Sequence, residues 1–220
     1  MSDEPSKLSK HLERIREKYG TVDDTDDLFP EEADAMQVRD LAGLARARWA
    51  AMVPQRFVRA SLDDFATDER VHAMATEWAD HAGGRNLVLF GAVGVGKTHL
   101  AVAACRPAAE RGLTVEFVPA VEMFDRLRPG GPEDALDDLC ECDRLIIDDL
   151  GVERPTDWTA ERLYLVVNRR WLDERPTVVT TNLESKDLAA EVGARMFSRI
   201  VGSDAVGIRL NGPDRRRKQP

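Results

Sequence analysis

The stretch Gly91-Ala-Val-Gly-Val-Gly-Lys-Thr98 constrains this chain more than any other feature. It follows an unbroken apolar run, Leu87-Val-Leu-Phe90, and leads into a helical stretch from about Thr98 to Arg111 that Gly112 stops. A strand apolar on both faces belongs in the middle of a parallel sheet. A G-x-x-x-x-G-K-T turn from such a strand into a helix is the pattern of a phosphate-binding loop. Its glycines let backbone N–H groups curl around an anion where a Cβ would intrude. The positive end of the helix dipole points at the same place. The pattern predicts a nucleotide-binding set of Gly91, Ala92, Val93, Gly94, Val95, Gly96, Lys97, Thr98 and His99. Lys97 would reach the β- and γ-phosphates, and the Thr98 hydroxyl would ligate Mg2+.

Three further patterns follow in order. Leu145-Ile-Ile-Asp148-Asp149, about fifty residues on, reads as a strand carrying acids at its C-terminal end, where parallel sheets bind ligands. Asp148 is placed to hold Mg2+, and Asp149 to orient or deprotonate an attacking water. Taken alone, two acids after a strand are more often a solvated turn; after a phosphate loop the odds reverse. Val178-Val-Thr-Thr-Asn182 is another apolar strand with a polar end, and Asn182 can hydrogen-bond a γ-phosphate or its water. Arg195-Met-Phe-Ser-Arg199-Ile200 offers arginines that either neutralise phosphoryl charge across a subunit boundary or sit on a helix surface in rim salt bridges.

Strand-like segments at 114–118, 144–147 and 177–181 alternate with helical ones near 120–128, 133–141 and 157–173. That alternation predicts a three-layer α/β/α domain. Pro107 falls inside the helix behind the loop and is expected to kink it. Helices are also expected over 6–19, 35–52 and 63–82, the last with Val71, Met74, Ala75 and Trp78 on one face. The helix over 35–52 carries Arg39, Arg46 and Arg48, as a surface face or a partner-docking one.

The net charge of −9 would argue against nucleic-acid binding were it evenly spread. Seven acids lie within residues 21–34, so the remainder carries −9 + 7 = −2. That acidic segment reads as a solvated linker or as a mimic of nucleic acid. Three cysteines make no disulfide framework, and Cys140-Glu-Cys142 lacks the second pair of a metal site. No apolar run approaches the roughly 18 residues of a membrane span, and the N-terminus has no signal-peptide stretch. The expected location is cytoplasmic.

In this order the motifs resemble the DnaC-type replicative helicase loaders and the related IstB-type transposition ATPases, within AAA+. The likeness runs over about residues 54–216. It includes Pro54-Gln-Arg-Phe57, Leu62-Asp-Asp-Phe65, Asn86-Leu-Val-Leu-Phe90, Leu145 to Gly151, Thr156 to Leu163, Asn168-Arg-Arg170 and Ser198-Arg199-Ile200. The resemblance implies an α/β AAA+ domain over 54–220 with a parallel sheet in the order 5-1-4-3-2, and an N-terminal docking region over 1–53. It implies ATP with Mg2+, assembly into a ring or spiral, a hexameric replicative helicase as partner and contact with single-stranded DNA. Arg199 would be the finger acting in trans, with Arg195 in reserve, and Lys97, Asp149 and Asn182 the catalytic set of the neighbouring subunit. Because Asp149 is shorter than the Glu usual in such motors, slow, timer-like hydrolysis is expected. Arg126 and Arg128 are candidate DNA contacts, and Phe57 a candidate neighbour of the adenine. Two departures stand out: only 38 residues follow Asn182, so the helical lid is absent or truncated, and Gly212-Pro-Asp-Arg-Arg216 fits the closing sensor-2 pattern poorly. The rival readings are an IstB-like transposition helper, a nucleotide-gated interaction protein with little hydrolysis, and a small-molecule kinase for which no phosphate lid is found.

Overall fold

The computed structural model describes residues 42–66, 68–81, 83–151 and 156–216. The expected helix over 6–19, the acidic linker 21–34 and most of the docking region lie outside them. Helix α1 covers 42–52. Two 3-10 turns, Gln55–Phe57 and Leu62–Phe65, precede α2 (Glu69–His81), β1 (Leu87–Phe90), α3 (Lys97–Glu110), β2 (Val115–Pro119) and α4 (Ala120–Arg126). Then come α5 (Ala135–Glu141), β3 (Arg144–Asp148), α6 (Asp157–Leu172), β4 (Thr177–Thr181), α7 (Ser185–Val192), α8 (Ala194–Ile200) and β5 (Val206–Arg209).

All strand pairs are parallel, in the order β5-β1-β4-β3-β2. This is the order the family resemblance implies. Every residue of β1, β3 and β4 is buried, because each face of the sheet is covered by helices. Leu87, Leu89, Ile146 and Val178 join one core with residues of α1, α2 and α3. Val88, Phe90, Leu145, Ile147 and Val179 join the other with residues of α4 to α8. Burying one such aliphatic side chain contributes about 1.5–3 kcal/mol, so the alternation along each strand fixes both layers at once.

Several local features differ from expectation. The helix anticipated over 63–82 starts only at Glu69. Ser61 and Asp64 make a capping box around the 3-10 turn, and the Asp68 carboxylate accepts the Val71 N–H, so the chain caps twice. Pro107 lies in the last turns of α3, and the helix continues through it to Glu110. β5 had no assigned residues in the sequence reading. Among the described residues no helix follows it.

The expected domain boundary at residue 54 falls just after α1, yet Trp49 and Val53 belong to the core. Arg48 pairs at 2.8 Å with the buried Glu116 of β2, and the Met52 sulfur accepts the Phe117 N–H. On the far side, Arg170 is fully buried and donates to the carbonyls of Leu139, Cys140 and Cys142. These are the orphan acceptors at the end of α5. All three cysteines are buried free thiols. Burial pushes Cys105 up to about 12 and Cys140 up to about 11.

Candidate nucleotide-binding site

The loop between β1 and α3 turns on glycine. Gly91, Gly94 and Gly96 all have positive φ, at 147°, 82° and 109°. A Cβ on Gly91 would sit 2.4 Å from the Leu210 carbonyl oxygen, and one on Gly94 would sit 1.9 Å from an Asp214 carboxylate oxygen. Glycine is required at both positions by the close approach of the Leu210 carbonyl and the Asp214 carboxylate.

Lys97 opens α3 and is only 5% exposed. Its ammonium donates to the Gly91 and Ala92 carbonyls, each at 2.9 Å, and to Asn182 Oδ1 at 2.6 Å. Burial is the main force lowering its pKa; Asp149 and Asp148 pull it back up, and the Arg216 charge lowers it further. Asn182 comes from the end of β4, which lies beside β1 in the sheet. Parallel pairing thus brings the polar ends of two strands to the loop.

Asp148, at the end of β3, is 8% exposed. It accepts hydrogen bonds from the Thr98 hydroxyl at 3.2 Å and the Thr180 hydroxyl at 2.7 Å. Burial is the main cause raising its pKa; the two hydroxyls oppose that rise and the Asp149 charge adds to it. Asp149 has φ 56°, a left-handed conformation that Asp tolerates better than most residues. Its N–H donates to the same Thr180 hydroxyl at 2.9 Å. One fully buried threonine thus positions both acids. Thr180 lies within the Val178–Asn182 pattern, but its role depends on the β3–β4 register, which sequence spacing does not give.

Lys97, Thr98, Asp148 and Asn182 are brought into one connected group, with Asp149 tied to it through Thr180. His99 faces elsewhere: Nε2 lies 2.6 Å from Asp64, and its ring meets those of Phe57 and Phe65 edge-on. Phe57, the candidate adenine neighbour, therefore stands beside the start of α3. The chain's end adds residues that spacing did not reveal. The Arg215 N–H donates to the Gly94 carbonyl at 2.9 Å, and the Arg215 guanidinium lies over Phe65.

Arg199 is not part of this group. Its guanidinium lies 5.2 Å from the Tyr164 ring centre and 5.4 Å from that of Trp171, both on α6. Arg195 is exposed one turn earlier on α8. The candidate DNA contacts are engaged with acids: Arg126 with Glu116 at 2.9 Å, Arg128 with Asp125 at 3.4 Å.

These residues fit an ATP site with one magnesium ion. The loop would cradle phosphates, Lys97 supplies a buried cation, and Thr98 with Asp148 gives a hydroxyl and a carboxylate. Mg2+ characteristically takes one or two protein ligands and completes its shell with phosphates and water. Among the described residues no group of three or more His, Cys, Asp or Glu side chains could hold a metal alone. No described helix is long and apolar enough to cross a membrane.

Residues 17–201 match the family described as IstB-like ATP binding protein. The replicative helicase loader DnaC of Escherichia coli (strain K12) is 31% identical over 121 residues, 52% of this chain and 49% of that protein. The phage-like element PBSX protein XkdC of Bacillus subtilis (strain 168) is 34% identical over 123 residues, 51% of this chain and 46% of its own. The chain thus spans about half the length of the curated relatives it matches. The crystal structure of the DnaC helicase loader superposes with TM-score 0.66 at 26% identity, covering 72% of this chain and 100% of that one.

Proposed function

The chain belongs to the IstB-like ATP-binding family, and from that premise we propose that it hydrolyses ATP slowly to gate the loading of a replicative helicase onto single-stranded DNA. The observation that carries this reading is the convergence of Lys97, Thr98, Asp148 and Asn182 at the ends of three neighbouring strands. Similarity to a helicase loader in sequence and in structure supports the loading role.

In this reading the Gly91–Gly96 backbone and Lys97 bind the phosphates, and Thr98 and Asp148 hold Mg2+. When bound, that ion neutralises charge on the terminal phosphates. Asn182 gives its oxygen to Lys97, which leaves its amide N–H groups to orient the terminal phosphate or the attacking water. Asp149 takes the water's proton as oxygen attacks the γ-phosphorus and the bond to the bridging oxygen breaks. Arg199 of an adjoining copy offsets the charge that develops there. The γ-phosphate then links two copies in a ring or spiral, and its loss releases the partner.

The partner-binding part is assigned to the N-terminal region. Since α1 contributes to the core, the segment to remove in a test is 1–40. That deletion should abolish capture of the host's replicative helicase and spare ATP binding; surviving capture would move the docking site elsewhere. A single-stranded DNA contact at Arg126 and Arg128 has weaker support, because carboxylates already hold both guanidiniums.

Titration calorimetry with ATP, with and without Mg2+, tests the core of the reading. Magnesium-dependent affinity is expected, lost in Lys97→Ala; no such affinity in the wild type would end the proposal. The family name itself favours the IstB-like transposition helper as second reading. A gel shift separates the two: preference for double-stranded over single-stranded DNA, without helicase capture, would choose the transposition helper. Turnover no faster in the wild type than in Asp149→Asn would leave a nucleotide-gated interaction protein.

A further inference from the structure

Arg199 is held by aromatic rings rather than by a carboxylate. None of the ion pairs among the described residues uses it, unlike Arg126, Arg128, Arg169 and Arg209. Its Nε is buried without a hydrogen-bond partner, and one terminal nitrogen donates to the Arg195 carbonyl at 3.2 Å. The guanidinium lies over the rings of Tyr164 and Trp171, whose faces attract a cation without cancelling its charge. A carboxylate in their place would neutralise it.

The backbone beneath Arg199 is held from another direction. The Asn86 amide donates to the Arg199 carbonyl at 2.8 Å and the Ile200 carbonyl at 3.3 Å, while its oxygen accepts the Thr177 N–H at 2.9 Å. The last carbonyls of a helix lack intrahelical partners, so this amide fixes the end of α8 against the starts of β1 and β4. The Asn86 carbonyl also accepts the Val206 N–H of β5. One residue thereby ties Arg199 to three strands.

We propose, on the reading that Arg199 acts on a neighbouring copy's nucleotide, that Asn86, Tyr164 and Trp171 are its positioning residues. The aromatic pair holds the guanidinium in place without neutralising it, and Asn86 sets the height of the turn that carries it. None of the three has to touch nucleotide.

The test uses full-length Arg199→Ala, Trp171→Ala, Trp171→Phe and Asn86→Asp. Asn86→Asp keeps the acceptor for Thr177 and loses the donor for Arg199. Trp171 is 54% exposed, so its variants should fold even if the Asn86 variant does not. ATP turnover is measured for each alone and mixed with Lys97→Ala subunits, which carry an intact Arg199, and ATP affinity is measured by calorimetry. Where turnover is too slow to rank the variants, ATP-dependent self-association by sedimentation gives the ranking. Arg199→Ala should lose roughly 10³-fold in turnover. Trp171→Ala and Asn86→Asp should lose about tenfold, as displaced catalytic groups do, with unchanged ATP affinity and recovery on mixing. Trp171→Phe should behave as wild type.

If Arg199→Ala loses turnover while Trp171→Ala and Asn86→Asp do not, the positioning role is overturned and the trans arginine stands. Loss of ATP affinity alongside turnover, or no recovery on mixing, would show a merely structural role and also overturn it. Full turnover in Arg199→Ala would remove the trans reading and this inference with it.

Discussion

The loop face and the Arg199 face of this domain are built on opposite principles. Around Lys97 nearly every polar atom has a partner within the chain: three acceptors for the ammonium, two hydroxyls for Asp148, one threonine serving both acids. Around Arg199 the cation rests on rings, its Nε has no partner, and Trp171 beneath it is 54% exposed. The first region is complete in one chain. The second gains a use for its charge only when something else arrives. On the proposed function, in which Arg199 acts on a neighbouring copy, one finished face and one open face are what the domain would need.

Substitutions that affect the two faces differently sharpen this contrast. The largest effect is expected for Lys97→Ala, which strands Asn182 and the two loop carbonyls. Turnover should fall by roughly 10²–10³-fold, and calorimetry should find Mg2+–ATP affinity gone. Retained affinity would break the comparison at its stronger half. Next is Gly94→Ala. A side chain at φ 82° costs about 1–2 kcal/mol, and its Cβ would displace Asp214. Thermal unfolding should show the loss, and adding Asp214→Ala should return part of it.

Asp148→Asn should act in the other direction. The Asp148 pKa lies above the ordinary aspartate value of 3.8, chiefly through burial. Its ionised form therefore weakens folding at neutral pH, and protonation relieves this as pH falls through the raised value. The amide removes the cost and can still meet both threonine hydroxyls. About 1 kcal/mol of stabilisation, or roughly 2–4 °C in Tm, is expected at neutral pH. The advantage over wild type should shrink as pH falls toward 3.8. An unchanged difference across that range would mean Asp148 carries no burial penalty. The smallest effect belongs to the open face: Trp171→Ala should change folding stability by no more than about 0.5 kcal/mol. A large loss in the unmixed protein would mean that Trp171 holds up the fold rather than Arg199.

The sequence made β1, the loop and α3 legible because one continuous apolar run, three glycines and a Lys-Thr pair act locally. β3 and β4 were legible for the same reason, as buried strands with polar ends. β5 was not: its Val-Gly-Ile-Arg has a single buried residue, and only pairing with β1 makes it a strand. The overlong helix at 63–82 failed because Asp68 can cap as readily as continue a helix, and local pattern does not decide which. The pairing of Arg126 with Glu116 was not legible, because nothing in the chain order says that Glu116, in mid-strand, is buried beside a cation. The contacts of Thr180, Asn86 and Asp214 were not legible for a common reason. Each of the three acts on residues more than thirty positions away, which only the folded arrangement of strands, loop and helix end brings together.

Helix α1 has a consequence for how copies of this chain can join. The Met52 sulfur takes up the Phe117 N–H, and Pro119 in the same strand has no N–H to offer. Two positions along that edge of the sheet thus have no donor to offer an added strand. A second strand laid along β2 would meet this gap at both of them, so edge-to-edge pairing is disfavoured there.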